Sequence, residues 1–252
     1  MAVEQEPFVR LSAASSVIAL LSFAAPAAMA APTSNLIADW SDDVTEALQG
    51  WKLSGQLTAA TDSTSKGVSE TQGNGQVGMA LTATRNWFYA SARYKNYKGS
   101  DGSDYQSGLA VGGKWTLGKA TLNSQIIYKV NDGARPGSDT HFVEWQSEAS
   151  RAFGRTTLKA LTIWSPDSSG ATQEAVYYEL GAVQKLSDRW SVSGGLGERR
   201  TEPKRTYTAW NAGATLTLNA RTTLDLRYYD TNRHEYSKAH GDRLVLALQR
   251  RF

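Results

Sequence analysis

The chain contains no cysteine and only three histidines among its 252 residues. Disulfides and thiolate metal sites are therefore excluded, and His141, His234 and His240 show no metal-helix spacing. No long apolar run follows residue 30, and mean hydropathy is negative at −0.43, which excludes a bundle of membrane helices. A polar average does not exclude a membrane β-barrel, whose lumen and loops are wet. Charge of one sign is also scarce: 27 Lys and Arg against 24 Asp and Glu give a formal +3, too diffuse to indicate a nucleic-acid partner. No catalytic constellation or phosphate-cradling glycine loop stands out, and no metal or cofactor is expected.

What is present begins at the N-terminus. Residues 11 to 30 form a small-residue-rich apolar stretch broken by Pro26 and ending Ala28-Met29-Ala30. That pattern predicts a signal peptide, residues 1–30, cleaved after Ala30. In the segment 31–50, Leu36, Ile37, Trp40, Val44, Ala47 and Leu48 recur near helical spacing between acids. It is expected to hold a short amphipathic helix, either a periplasmic linker or a plug folded into a lumen.

From residue 51 to 252 the pattern changes to period two. Twelve alternating segments are expected at 51–61, 75–84, 87–97, 105–117, 119–130, 141–152, 155–165, 174–186, 189–199, 206–218, 221–230 and 242–252. Each has about the length of a barrel strand, roughly 9–11 residues. Tight links such as Arg85-Asn86, Gly118 and Asn219-Ala220 alternate with long polar stretches around 62–74, 98–104, 131–140, 166–173, 200–205 and 231–241. Short turns on one rim and long loops on the other predict a single all-β, transmembrane, antiparallel barrel of about twelve strands in the bacterial outer membrane. Aromatics sort toward both rims: Trp51, Trp87, Phe88, Trp115, Phe153, Trp190 and Phe252 on the short-turn side, with Tyr94, Tyr97, Tyr105, Tyr128, Trp164, Tyr178, Tyr207 and Tyr228 on the other.

Facing the apolar side to lipid turns the polar side inward. The expected pore-lining cations are Lys52, Arg93, Lys95, Lys114, Lys129, Lys159 and Arg227, with Arg155, Arg199, Arg243 and Arg251 inward or at the mouths. The expected inward acids are fewer: Glu144, Glu148, Glu179 and Asp225. Such groups either pair across strands or select solutes, and both readings stay open. The surplus of cations points to small anionic solutes diffusing through a narrow lumen. Alternatives are an uptake channel for acidic oligosaccharides, a structural or adhesive barrel, and a lipid-active enzyme in which His141 pairs with Ser138 or Ser165.

Two stretches carry resemblances. Residues 240–252 alternate and stop on Phe252, which resembles the closing strand of outer-membrane barrels. The resemblance implies that Phe252 is read by the barrel-assembly machinery. Residues 54–71 (SGQLTAATDSTSKGVSET) resemble the opening signature of the TorF family of outer-membrane porins, carried by Asp62, Lys66, Gly67, Ser69 and Thr71. Trp87-Phe88-Tyr89-Ala90 and Gly241-Asp242-Arg243-Leu244-Val245 are similar to later strands of that family. The resemblance implies an outer-membrane barrel passing small solutes. Where that family carries loop aromatics, this chain has Ser63, Thr64 and Ser65.

Overall fold

A computed structural model describes residues 49–252. The expected signal peptide and nearly all of the segment 31–50, with its helix, lie outside the described residues. Twelve long strands close into one antiparallel barrel: β1 (Lys52–Ala60), β4 (Gln76–Arg85), β5 (Phe88–Asn96), β6 (Tyr105–Leu117), β7 (Ala120–Asp132), β8 (His141–Phe153), β9 (Thr156–Ser165), β10 (Ala175–Lys185), β11 (Trp190–Thr201), β12 (Tyr207–Asn219), β13 (Thr222–Thr231) and β14 (Arg243–Arg251). Between β1 and β4 lie two short strands, β2 (Thr64–Ser65) and β3 (Val68–Ser69), paired only with each other. Sequential strands are neighbours throughout, and β1 closes the cylinder against β14. Closure leaves no sheet edge unpaired.

The tight turns follow from local chemistry. Asn86, Gly118 and Gly154 each hold a positive φ (55°, 61° and 62°) at the first turn position. Two-residue hairpin turns need that conformation to match the twist of their strands.

Alternation sorts the faces as expected. Leu180 and Leu244 are 71% and 63% exposed on the outer face, while Ile127, one register step from such positions, is 2% exposed on the inner face. An exposed apolar cylinder of this kind is stable against hydrocarbon and not against water. Aromatic pairs cap its rims: Trp87 stacks on Trp115 at 5.4 Å near the tight turns, and Tyr94 on Tyr105 at 5.6 Å near the loops. Tyr207 departs from the expected girdle. It occupies a lumen-facing position beside Arg199, 4% exposed.

Residue 252 seals the seam. The amide of Gly55 donates to the Phe252 carbonyl at 2.9 Å, and the Phe252 amide donates back at 3.0 Å. A Cβ on Gly55 would stand 2.2 Å from the Phe252 ring, so glycine there makes room for the aromatic. Arg250 faces outward beside it at the rim, where a long basic chain reaches the headgroup zone.

The segment 62–74 is not the outward-standing loop that its polarity suggests. It folds back into the barrel.

Candidate functional site: a hairpin across the lumen

The tip of the β2–β3 hairpin is Lys66-Gly67, with φ of 53° and 79°. Both values lie in the left-handed region that a tight hairpin turn demands. At Gly67 space is limiting as well, because a Cβ would sit 2.3 Å from the Ala209 methyl. The tip spans the lumen, touching β8 and β12 as well as β14, the neighbour of β1. The Tyr207 hydroxyl of β12 donates to the Lys66 carbonyl at 3.0 Å, and Arg243 of β14 donates to the Gly67 carbonyl at 2.8 Å. The Lys66 ammonium reaches Glu144 of β8 at 2.5 Å. Burial of the ammonium beside Lys129 and Arg199 pushes its pKa down to about 8, and Glu144 offsets part of that fall.

The base of the hairpin is closed by its own side chains. Ser69 and Thr71 donate hydroxyls to Asp62 at 2.7 and 2.5 Å, and Arg243 stands 3.5 Å from the other Asp62 oxygen. Ser63 donates to Glu70 at 2.9 Å, and Lys95 of β5 pairs with that same carboxylate. Lys95 and Lys129 hold the Glu70 carboxyl below its usual range although burial pushes the other way. The spacing of Asp62, Lys66, Gly67, Ser69 and Thr71 thus has a physical meaning: three residues tie the base, and two make and anchor the tip.

The hairpin borders two cavities. One, of about 310 Å³, lies against β8–β13 and includes Lys159, Glu179, Asn211 and Arg227 in its lining. The other, of about 380 Å³, lies against β14, β1 and β4–β9 and includes Arg93, Lys95, Gln106 and Gln146. Thr64 borders both, and its buried hydroxyl has no hydrogen-bond partner. A third cavity of about 430 Å³ is lined by Ser54, Gln56, Thr82, Arg93 and Arg251.

The inward cations divide into two kinds. Lys129 shares Glu144 with Lys66 at 2.6 Å, and Lys159 stands 3.4 Å from Glu148. Arg227 meets Asp225 at 3.0 Å and also donates to Asn211 and Ser193, each at 2.8 Å. Lys95 is taken by Glu70. Glu179 accepts from the Tyr177 hydroxyl at 2.6 Å. By contrast, Lys52, Arg93, Lys114 and Arg251, and also Arg199 on β11, have no carboxylate partner among the described residues. Arg93 donates to Gln125 at 3.0 Å and remains open to the lumen. Arg155 lies in the β8–β9 turn and donates to the Leu186 carbonyl, so it is not on a strand face.

Sequence reasoning missed the inward position of residues 62–71, and with it the roles of Glu70, Arg243 and Tyr207. It also missed that the lumen-facing positions of β14, β1 and β4–β7 carry no carboxylate, whereas those of β8–β13 carry Glu144, Glu148, Glu179 and Asp225. His141 sits at an outer-face position with Thr140 as its hydrogen-bond partner at 2.9 Å, while Ser165 is buried and donates to the Val143 carbonyl. The proposed His141–Ser165 pair is therefore not assembled. Among the described residues no group of three acidic or imidazole side chains could hold a metal.

No family model matches the chain. No curated protein matches it in sequence. Solved structures do match in shape. One is a KdgM porin in complex with disordered oligogalacturonate, at TM-score 0.57 and 6% identity, covering 79% of this chain and 99% of that one. Another is the NanC porin, at TM-score 0.52 and 8% identity, covering 77% and 97%. The fold shared with these proteins is the closed, antiparallel porin barrel, here twelve-stranded and crossed by a hairpin.

Proposed function

We propose that this chain is an outer-membrane channel through which small anionic solutes diffuse past a hairpin constriction. The observation that carries the reading is the acid-free wall of β14, β1 and β4–β7 with the uncompensated Arg93, Lys114 and Arg251 on it. Fixed cations in a narrow, low-dielectric lumen raise the local concentration of anions. Amide and hydroxyl groups replace part of a solute's hydration as it passes, and no covalent step is involved. The shape likeness to two porins supports the channel reading, and the apolar outer face supports the membrane setting.

The same reading places the chain in the TorF family on its loop motif, with export through a signal peptide and assembly aided by Phe252. Planar-bilayer recording in a salt gradient tests it. An anion-selective reversal potential is expected, fading as added salt shortens the screening length below about 10 Å, its value at 0.1 M. A cation-selective channel, or no conductance, would overturn the proposal. Uptake of acidic oligosaccharides is a second reading, favoured by the ligand named in one neighbour's structure. The hairpin weighs against it, because it breaks the lumen into compartments of a few hundred Å³.

A further inference from the structure

The register of the acid-free wall places three of its cations, Arg251, Arg93 and Lys129, in one row. Arg251 of β14 pairs with Gln56 of β1, Gln56 with Ala80 of β4, and Ala80 with Arg93 of β5. Arg93 pairs in turn with Gly108 of β6, and Gly108 with Lys129 of β7. Adjacent strands lie about 4.8 Å apart, so Arg93 stands about 10 Å from Lys129 and about 14 Å from Arg251 along the wall. The positions beside Arg93 are Ala80 and Gly108, which raise no side chain to cover it. The next row has the same character: Gln249, Thr58, Gly78, Lys95, Gln106 and Asn131.

Within these rows the free groups converge on Arg93. Its Nη2 donates to the Gln125 oxygen, and the Gln125 amide donates at 3.0 Å to the Gln146 oxygen. The network fixes the guanidinium while leaving most of its donors and the Gln146 amide unspent. Lys95 and Lys129 are each committed to a carboxylate, which leaves Arg93 as the cation of this compartment without one among the described residues. Arg93 also lines both the 380 Å³ cavity and the 430 Å³ cavity, the second of which contains Arg251. It therefore stands where one compartment passes to the next.

We propose that Arg93, oriented by Gln125 and flanked by Gln56 and Gln146, is a binding subsite for a small carboxylate that also carries hydroxyl groups, such as a single acidic sugar ring. A guanidinium fork suits a carboxylate, and amides that both donate and accept suit neighbouring hydroxyls. A cavity of 380 Å³ falls at the small end of the roughly 300–1,000 Å³ of ordinary ligand sites, enough for one sugar ring. The compartment on the other side of the hairpin lacks this chemistry, since Lys159 and Arg227 there are already paired. The subsite deepens the channel reading and rests on it for its route, but its occupancy can be measured without conduction.

The experiment is equilibrium binding of D-glucuronate, with D-glucose as the uncharged comparison, to barrel refolded in detergent and followed by calorimetry. Wild type should bind the uronate at least about tenfold more tightly than glucose, and Arg93→Gln should abolish that difference. Arg93→Lys keeps the charge without the fork and should retain part of the preference, which covers the case in which the Gln variant does not fold. Lys159→Gln removes one positive charge from the opposite wall and should change uronate affinity less than about twofold. Equal binding of the two sugars by wild type, or equal losses in the Arg93 and Lys159 variants, would overturn the subsite. Uronate binding by a barrel that fails to conduct would overturn the channel reading alone, and conduction without uronate preference would overturn the subsite alone.

Discussion

The wall formed by β8–β13 and the wall formed by β14, β1 and β4–β7 share one outer surface and differ inside. In the first, Glu144, Glu148, Glu179 and Asp225 meet Lys129, Lys159, Tyr177 and Arg227, so charge is spent on structure. In the second, Arg93 and Arg251 stand beside Ala80, Gly108 and Gln56, and Lys114 beside Asn123, with no carboxylate partner among the described residues. A paired charge contributes to the fold and cancels its own field at a distance. An unpaired one contributes little to the fold and projects its field into the pore. One barrel thus keeps its strand carboxylates on one wall and, among the described residues, most of its unpaired inward cations on the other.

That separation fixes the order of mutational effects. Glu144→Gln should be most damaging, because it leaves Lys66 and Lys129 buried without their carboxylate. A loss of about 3–5 kcal/mol is expected in urea-driven unfolding from lipid vesicles. Arg placed on the outer face should cost about 2–4 kcal/mol near the midplane, and equally at Ile126 and Leu226. Unequal costs there would mean that the two walls differ outside as well as inside. Gly67→Ala forces a Cβ into a left-handed turn and against Ala209, and should cost about 1–2 kcal/mol in the same assay. Glu148→Gln breaks a half-exposed pair and should change stability by less than about 1 kcal/mol. Arg251→Gln should leave stability unchanged and yet lower the anion preference in a reversal-potential measurement. A selectivity change from Glu148→Gln as large as that from Arg251→Gln would break the distinction between the walls.

Much of this was legible in the sequence. The twelve strands emerge within one or two residues of their expected bounds because lipid outside and water inside impose a strict period of two. The difference between the walls was present in the sequence but was not read from it. The acids between residues 51 and 132, namely Asp62, Glu70, Asp101, Asp104 and Asp132, fall in loops or at a strand end rather than on lumen-facing positions. The hairpin was not legible. Ser63, Thr64 and Ser65 have the composition of an exposed loop, and the contacts that draw them inward, Lys66 to Glu144 and Gly67 to Arg243, join residues 78 and 176 positions apart. Period alone also misplaced Tyr207, whose ring a girdle would accept but whose register turns it into the lumen, where its hydroxyl holds the Lys66 carbonyl.

Those long spans bear on how the molecule acquires its final form. The hairpin belongs to the beginning of the barrel, yet its tip is held by Tyr207 on β12 and Arg243 on β14, and its base also meets Arg243. None of these anchors is in place until the late strands have paired and the cylinder has closed. Contacts so distant along the chain carry a large loop-closure cost until the intervening strands are in place. A chain without its last strand loses the Arg243 anchor of both tip and base, so the narrowing depends on the strand that closes the cylinder. The Asp62–Arg243 contact is then a checkpoint, satisfied only by a chain that has reached its last strand.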